Sequence, residues 1–345
     1  MLKTSGATVR RAAYLLLTGM IISASTACTP GREAPRLPVR IAYTRTYGSA
    51  LVQIAGAKNF FGDAGLEPQL AAYDVGKDSA QALFDGKADV AVSADTVLVD
   101  RILEGQPLVV LASIQRSTKH NGVVARRDRG ISTAIDLKGK RIGLTRGTAS
   151  EYLLHALLVE QNLANSDIVA VDMSTQDLGK ALSEGKVDAV ATSNPNLERI
   201  ALELGDVAVR FYQETLFTER FCVFAYKDWA ASHKEEIRRL IGALSRAESL
   251  LCSREAEAKL IVEKATSTDQ AVLDAVWPDS SYPLSIDQSL LVDFEDQARW
   301  LGRNECGLLQ RGAAARAAPA IPDFLDHIDE TALKAVEPAA VQIVR

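Results

Sequence analysis

The chain has 345 residues, enough for two α/β lobes with separate cores, and 47% hydrophobic content beside 24% charge argues against global disorder. The net charge is −5, and no cationic stripe with interleaved aromatics occurs, which argues against a nucleic-acid partner. No stretch after the N-terminal region has the uninterrupted apolar length of a membrane-spanning helix.

Arg10-Arg11, the apolar run AAYLLLTGMIISA and the small residues STAC at Ser25–Cys28 have the order of a secretory signal, expected over residues 1–27. Cys28 directly after Ala27 points to lipidation there, with a Pro-rich tether over 28–38 and an exported, periplasmic or cell-surface location. Export permits a disulfide, for which Cys252 and Cys306 are the best-placed pair, while Cys222 inside RFCVFAY reads as a buried thiol.

The fold begins at VRIAY (Val39–Tyr43), a strand by its β-branched alternation, followed by one helix over Ser49–Gly65. Strand, helix, strand, helix and strand continue through EPQLAAY, KDSAQALFDG, ADVAVS, DTVLVDRILEG and LVVLASI. GVVARRD reads as a crossing strand into a second unit with the same grammar, from KRIGLT to VAVRFY. RFCVFAYKDW returns, and a helical C-terminal part follows, in which Leu240, Ile241, Leu244, Ala247 and Leu251 mark a buried face. The expected fold class is α/β, with two lobes of mostly parallel sheet and flanking helices around a central ligand cleft. Lobe 1 is expected over 39–125 and 222–345, and lobe 2 over 126–221.

One sentence of the chain is spoken twice. ALFDGKADVAVS begins at Ala82 and ALSEGKVDAVATS at Ala181, 99 residues later, too long for a solenoid repeat but suited to two similar lobes. In open parallel sheets, ligands sit beyond the carboxyl ends of the strands, so matching strand ends would face one crevice.

The segments SALVQIAGAKNFFGDAGLEP, DSAQALFDGKADVAV, AIDLKGKRIGLTRGTASEYLLHALL, DLGKALSEGKVDAV and LSIDQSLLVDFEDQARWL together resemble the nitrate/sulfonate/taurine branch of ABC-transporter substrate-binding proteins, which includes thiamine-precursor binders. The resemblance runs from Val39 to the C-terminus. It implies a type II periplasmic-binding-protein fold with two crossovers, a hinge that closes on a small-molecule ligand, and delivery to a membrane permease and ATPase complex. Where relatives often carry an aromatic, this chain has Ser193-Asn194-Pro195, so a stacking residue is missing.

Candidate ligand residues cluster at four strand ends. Gly147, Thr148 and Ser150, after the strand RIGLT, open a helix whose free N–H groups attract anions, with Thr148 or Ser150 as cap and Glu151 in support. Tyr43, Tyr47 and Ser49 stand at the first strand–helix junction, and Arg45 and Arg146 would favour a carboxylate, sulfonate or phosphate if both point inward. Ser93 and Thr96 are donors at the end of the first repeated strand, with Asp95 between them as an N-cap or a partner for a ligand cation. Asn194 is the matching position in the second copy, followed by Pro195 at the first helical position. His120 is expected at the surface or hinge.

Neither a metal nor a cofactor is expected, since GxSxG, HExxH, GxGxxG and GxxxxGK[ST] are all absent. A related branch contains thiamine-pyrimidine synthases with a Cys-rich motif, and no such cluster appears here. The expected activity is therefore non-enzymatic capture, by a monomer, of a small polar solute, either anionic (sulfonate- or carboxylate-like) or heterocyclic. A ligand-sensing module for a membrane receptor or kinase, or a pyrimidine-precursor-related enzyme, is the alternative.

Overall fold

The computed structural model describes residues 35–215, 218–302 and 320–344. Cys28 and Cys306 lie outside them, and within them Cys222 is a buried free thiol and Cys252 an exposed one. The chain runs β1 (Leu37–Thr44), α1 (Ala50–Ala57), α2 (Phe60–Asp63), β2 (Leu66–Tyr73), α3 (Gly76–Phe84), β3 (Val90–Ala94), α4 (Asp95–Leu103) and β4 (Leu108–Ser117). It continues as β5 (Asn121–Arg126), β6 (Arg141–Leu144), α5 (Ala149–Glu160), β7 (Val169–Asp172), α6 (Leu178–Ser183), β8 (Ala189–Ser193), α7 (Asn196–Leu204) and β9 (Ala208–Phe211). β10 (Glu219–Tyr226), α8 (Lys227–Ser232), α9 (Lys234–Ser253), α10 (Glu255–Thr266), α11 (Gln270–Val276), β11 (Ile286–Asp287), α12 (Gln288–Gly302), α13 (Thr331–Val336) and β12 (Val341–Gln342) follow.

Two five-stranded sheets result, in the orders β2-β1-β3-β10-β4 and β7-β6-β8-β5-β9. In each, the first three strands pair in parallel, and one strand (β10 or β5) runs antiparallel to both neighbours. β5 lies wholly in the second sheet and β10 wholly in the first. The boundaries expected at 125/126 and 221/222 therefore fall inside these strands, and the sheets change earlier, around 118–120 and 212–218, because one strand cannot divide its ladder between two sheets. Leu37 and Pro38, expected in the tether, already belong to β1. The single helix expected over Ser49–Gly65 divides at Asn59, whose φ of 56° is left-handed and incompatible with helix continuation.

The repeated sentence becomes α3–β3 in one sheet and α6–β8 in the other, with β3 and β8 third in their sheets. Gly86 and Gly185 end the two helices at φ of 67° and 71°, which a side chain would strain. Asp89 and Asp188 then each hold an arginine from the neighbouring strand. Arg40 N–H donates to Asp89 Oδ2 at 2.8 Å and Arg141 N–H to Asp188 Oδ2 at 2.9 Å. Both guanidiniums also reach the glycine carbonyls, at 2.5 Å for Gly86 and 2.8 Å for Gly185.

Apolar strands buried on both faces carry each sheet. Ile41, Val92, Val110 and Phe224 pack with Leu51, Leu240 and Leu244 in the first core. The expected α9 face, Leu240, Ile241, Leu244, Ala247 and Leu251, is buried throughout. In the second sheet, Val123 and Ala191 face one cluster with Leu153 and Leu157, while Val124 and Val190 face another with Leu178 and Leu197, the period of two in a strand. Trp300 of α12 also enters the cluster of Leu153 and Leu157.

Candidate functional site

A cavity of about 160 Å³ lies between the carboxyl ends of the two sheets. Thr44 and Ala94 end β1 and β3 on one side, Thr145 and Ser193 follow β6 and end β8 on the other, and His120 with Asn121, Glu219 and Phe221 lines it where the two crossovers enter β5 and β10. This placement follows from topology, since all four strands point their carboxyl ends the same way relative to their sheets.

Of the expected residues, Thr96, Gly147, Thr148 and Ser150 line the cavity, whereas Ser93 is fully buried on β3 and outside the lining. Tyr47 stands behind the wall, its ring 5.0 Å from that of His120. Tyr43 and Ser49 are outside the lining; Tyr43 is half-buried on β1 and Ser49 fully buried at the start of α1. Arg45 pairs with Asp74 at 3.4 Å, and Arg146 with Asp172 at 3.8 Å. Neither guanidinium belongs to the lining, because each is engaged by a carboxylate following or ending the next strand of its sheet.

Asp95 begins α4 and is fully buried; it accepts from Gln297 Nε2 and from Thr96 N–H, both at 2.9 Å. Its expected N-cap position belongs to Ala94. Burial pushes the Asp95 carboxyl up to about 7. Asn194 clasps the chain, accepting from Glu198 N–H at 3.1 Å and donating to the Lys119 carbonyl at 2.9 Å. Pro195 caps α7, one residue before the first helical position expected for it.

At the start of α5 neither hydroxyl caps the helix. Thr148 Oγ donates back to the Thr145 carbonyl and Ser150 Oγ donates to Asn121 Oδ1, both at 2.8 Å. Glu151 takes the supporting role instead, accepting from Gly147 N–H at 2.7 Å beside the positive end of the helix dipole.

His120 is the largest departure from expectation. It is only 2% exposed, in the wall of the cavity rather than on the surface. Its Nε2 lies 3.2 Å from Glu219 Oε1, and Asn121 Nδ2 donates to Glu219 Oε2. Burial pulls the His120 imidazole down to about 3 and pushes the Glu219 carboxyl up to about 8, with the nearby Asp95 charge raising Glu219 further and the Asn121 bond opposing. Sequence reasoning missed His120, Asn121 and Glu219 because polar residues at a crossover look like loop residues. The only hint was their position where the chain changes sheets.

Two buried polar atoms of lining residues have no partner within the protein: Thr96 Oγ1 and His120 Nδ1. Such atoms cost free energy unless something else satisfies them. Among the lining residues Lys77 is the one lysine or arginine, and Asp74 and Glu219 are the two carboxyls. Among the described residues no group of three or more His, Cys, Asp or Glu could hold a metal ion, and no helix is long and apolar enough to cross a membrane.

Comparison with known proteins follows this geometry. A provisionally named binding protein of Brucella abortus is 25% identical over 247 residues, covering 70% of this chain and 75% of its own. A provisionally named thiamine biosynthesis protein of Haemophilus influenzae is 32% identical over 154 residues, 44% of each chain. In three dimensions, the alkanesulfonate-binding protein SsuA from Xanthomonas axonopodis pv. citri, bound to MOPS, superposes with a TM-score of 0.69 at 19% identity, covering 86% of this chain and 99% of that one. The expected two-sheet periplasmic-binding-protein fold is thus the fold observed. The family model described as NMT1/THI5 like matches residues 48–258, and the chain belongs to that family.

Proposed function

We propose that this protein is the extracytoplasmic solute-binding component of an ABC importer, anchored through Cys28 and capturing a small polar solute by lobe closure. The observation that carries the reading is that two lining residues of one cavity between two sheets, Thr96 and His120, hold buried polar atoms without a protein partner, Oγ1 and Nδ1. A solute that satisfies them while touching Thr148 and Ser150 bridges both walls, so the closed state gains contacts that the open state lacks. Neutral donors dominate the wall, which suits a sulfonate- or carboxylate-like head group or a polar heterocycle. The sulfonate named in the SsuA structure supports the first of these classes.

Catalysis is not part of the proposal. The Ser150 hydroxyl donates to an amide oxygen, and His120 Nε2 faces Glu219, so neither sits in a nucleophile–base pair.

A thermal-shift screen of alkanesulfonates, nitrate, small carboxylates, pyrimidines and aromatic acids tests the reading. At a hundredfold excess over Kd a binder adds about 2.7 kcal/mol of stability. A screen in which every class leaves the melting temperature unmoved would sink it.

A further inference from the structure

Resting on the reading of this cavity as a solute site, we infer that the His120–Glu219 pair sets the hydrogen-bonding sense of the cleft wall, offering the solute an N–H donor when Glu219 carries a proton and a bare acceptor when it does not. The geometry allows two arrangements. His120 Nε2 and Glu219 Oε1 are 3.2 Å apart, so one proton lies between them in either state. With the proton on Glu219, its O–H donates to Nε2, and the single ring proton of the neutral imidazole sits on Nδ1. With Glu219 ionised, the ring proton moves to Nε2 to donate to the carboxylate, and Nδ1 keeps only its lone pair.

His120 Nδ1 is the buried atom of this ring without a protein partner, so a change of tautomer is presented to whatever occupies the cavity. Glu219 Oε2 is held by Asn121 Nδ2, whose Oδ1 is held by Ser150 Oγ. That chain leaves Oε1 as the oxygen facing His120, and it ties the pair to the second sheet through α5.

The surroundings favour the protonated state at neutral pH. Glu219 and His120 are both buried, and burial raises the carboxyl to about 8 while keeping the imidazole neutral. From α4, Asp95 adds a like charge or none, and opposes ionisation of Glu219. Arg220, next along β10, is spent on Asp293 at 2.7 Å and Asp287 at 3.4 Å. Lys119, preceding His120, is bound to Asp279 at 3.1 Å and Glu214 at 3.7 Å. Tyr47 against the His120 ring, with Tyr212 and Tyr282 near it, is held neutral by burial. The neutral-pH wall therefore offers N–H, and the solute atom placed there is an acceptor, such as an oxyanion oxygen. Ionising Glu219 removes that donor and adds a negative charge, both against an anion.

Two measurements on the full mature chain decide the point. The first needs no solute: nitrogen-15 spectra of labelled histidine, assigned to residue 120 through the backbone, followed from pH 6 to 9.5. The expected result is the Nδ1–H tautomer at low pH passing to Nε2–H as Glu219 ionises; an unchanged tautomer, or a charged ring, overturns the inference. The second is calorimetric titration with ethanesulfonate, whose own charge is constant over this range. In the wild type its Kd rises at least tenfold from pH 6.5 to 9.5, whereas in Glu219→Gln, whose amide N–H always donates to Nε2, the ratio across that range stays within twofold. A Glu219→Gln protein that keeps the wild-type ratio overturns the inference. Absence of ethanesulfonate binding at every pH instead counts against the anionic class in the functional reading, and the tautomer spectra then decide the switch by themselves.

Discussion

The indole of Trp300 packs on the ring of Tyr152 with centroids 4.8 Å apart, and the two residues belong to helices that flank different sheets. Tyr152 lies on α5, over the second sheet, while Trp300 lies near the end of α12, which is tied to α4 beside the first sheet by the Gln297–Asp95 bond. Trp300 is thus a side chain from a helix bound to α4 of the first sheet's layer, buried in the apolar cluster of the second sheet. Trp300→Ala is expected to destabilise the protein by about 3–5 kcal/mol, read as a lower urea midpoint. A loss under about 1 kcal/mol would mean that the contact between α12 and α5 contributes no packing energy.

The paired clasps of Arg40 on Asp89 and Arg141 on Asp188 should cost the same to break. Each arginine is about two-fifths exposed, at 41% and 43%, so solvent screening discounts the ion pair and leaves the charge-assisted bonds to a carbonyl and a carboxylate. Arg40→Ala and Arg141→Ala are each expected to lower the urea midpoint by a similar small amount, and the double variant by the sum, because the sites share no partners. Denaturation of the four proteins checks this. Strong non-additivity would show that the lobes unfold as coupled units through these clasps.

Folding stability should fall as pH rises from 6.5 to 8. The Glu219 carboxyl is raised from 4.5 to about 8, so its contribution is complete below its unfolded value and is lost as pH rises through about 8. Asp95, raised from 3.8 to about 7, acts with the same sign. His120 has the opposite sign: lowered from 6.5 to about 3, it contributes fully above 6.5 and loses its contribution as pH falls toward 3. Above pH 6.5 the two carboxyls are left to set the slope among these three groups. Glu219→Gln should flatten it by about 1–2 kcal/mol over the window, measured by chemical denaturation in the absence of solute. An equal slope in both proteins would place the ionisation elsewhere.

Solute affinity should depend on both walls. Thr148→Ala combined with Ser150→Ala, tested with the strongest binder from the screen, is expected to weaken it at least about tenfold, or about 1.4 kcal/mol. Thr96→Ala should weaken it by a comparable factor, because Thr96 Oγ1 has no other partner. Far-ultraviolet circular dichroism confirms that the fold survives. If one wall can be stripped of hydroxyls without loss, the solute is held by a single lobe and closure gains nothing.

The strands and helices were legible because their signals are local. Alternation placed β1, short runs of β-branched or small apolar residues placed β3 and β8, and the glycines at 86 and 185 marked helix ends that require positive φ. The cap of α5 was misread for an equally physical reason. Hydroxyls at Thr148 and Ser150 can serve the helix, the preceding carbonyl or a distant amide, and only the neighbours choose. Arg45 and Arg146 illustrate the same limit, since their acidic partners come from other strands.

From its order of residues alone, the chain determined two sheets of the same grammar and a crevice at matching strand ends, because periodicity, turns and caps act over a few neighbours. Only the tertiary structure decided which polar groups meet in that crevice. Asn121 and Glu219 are 98 positions apart in the chain, and their contact exists because two crossovers pass side by side. The same burial that joins them removes the water that would keep Glu219 ionised, and no local pattern encodes how much water a distant segment will exclude.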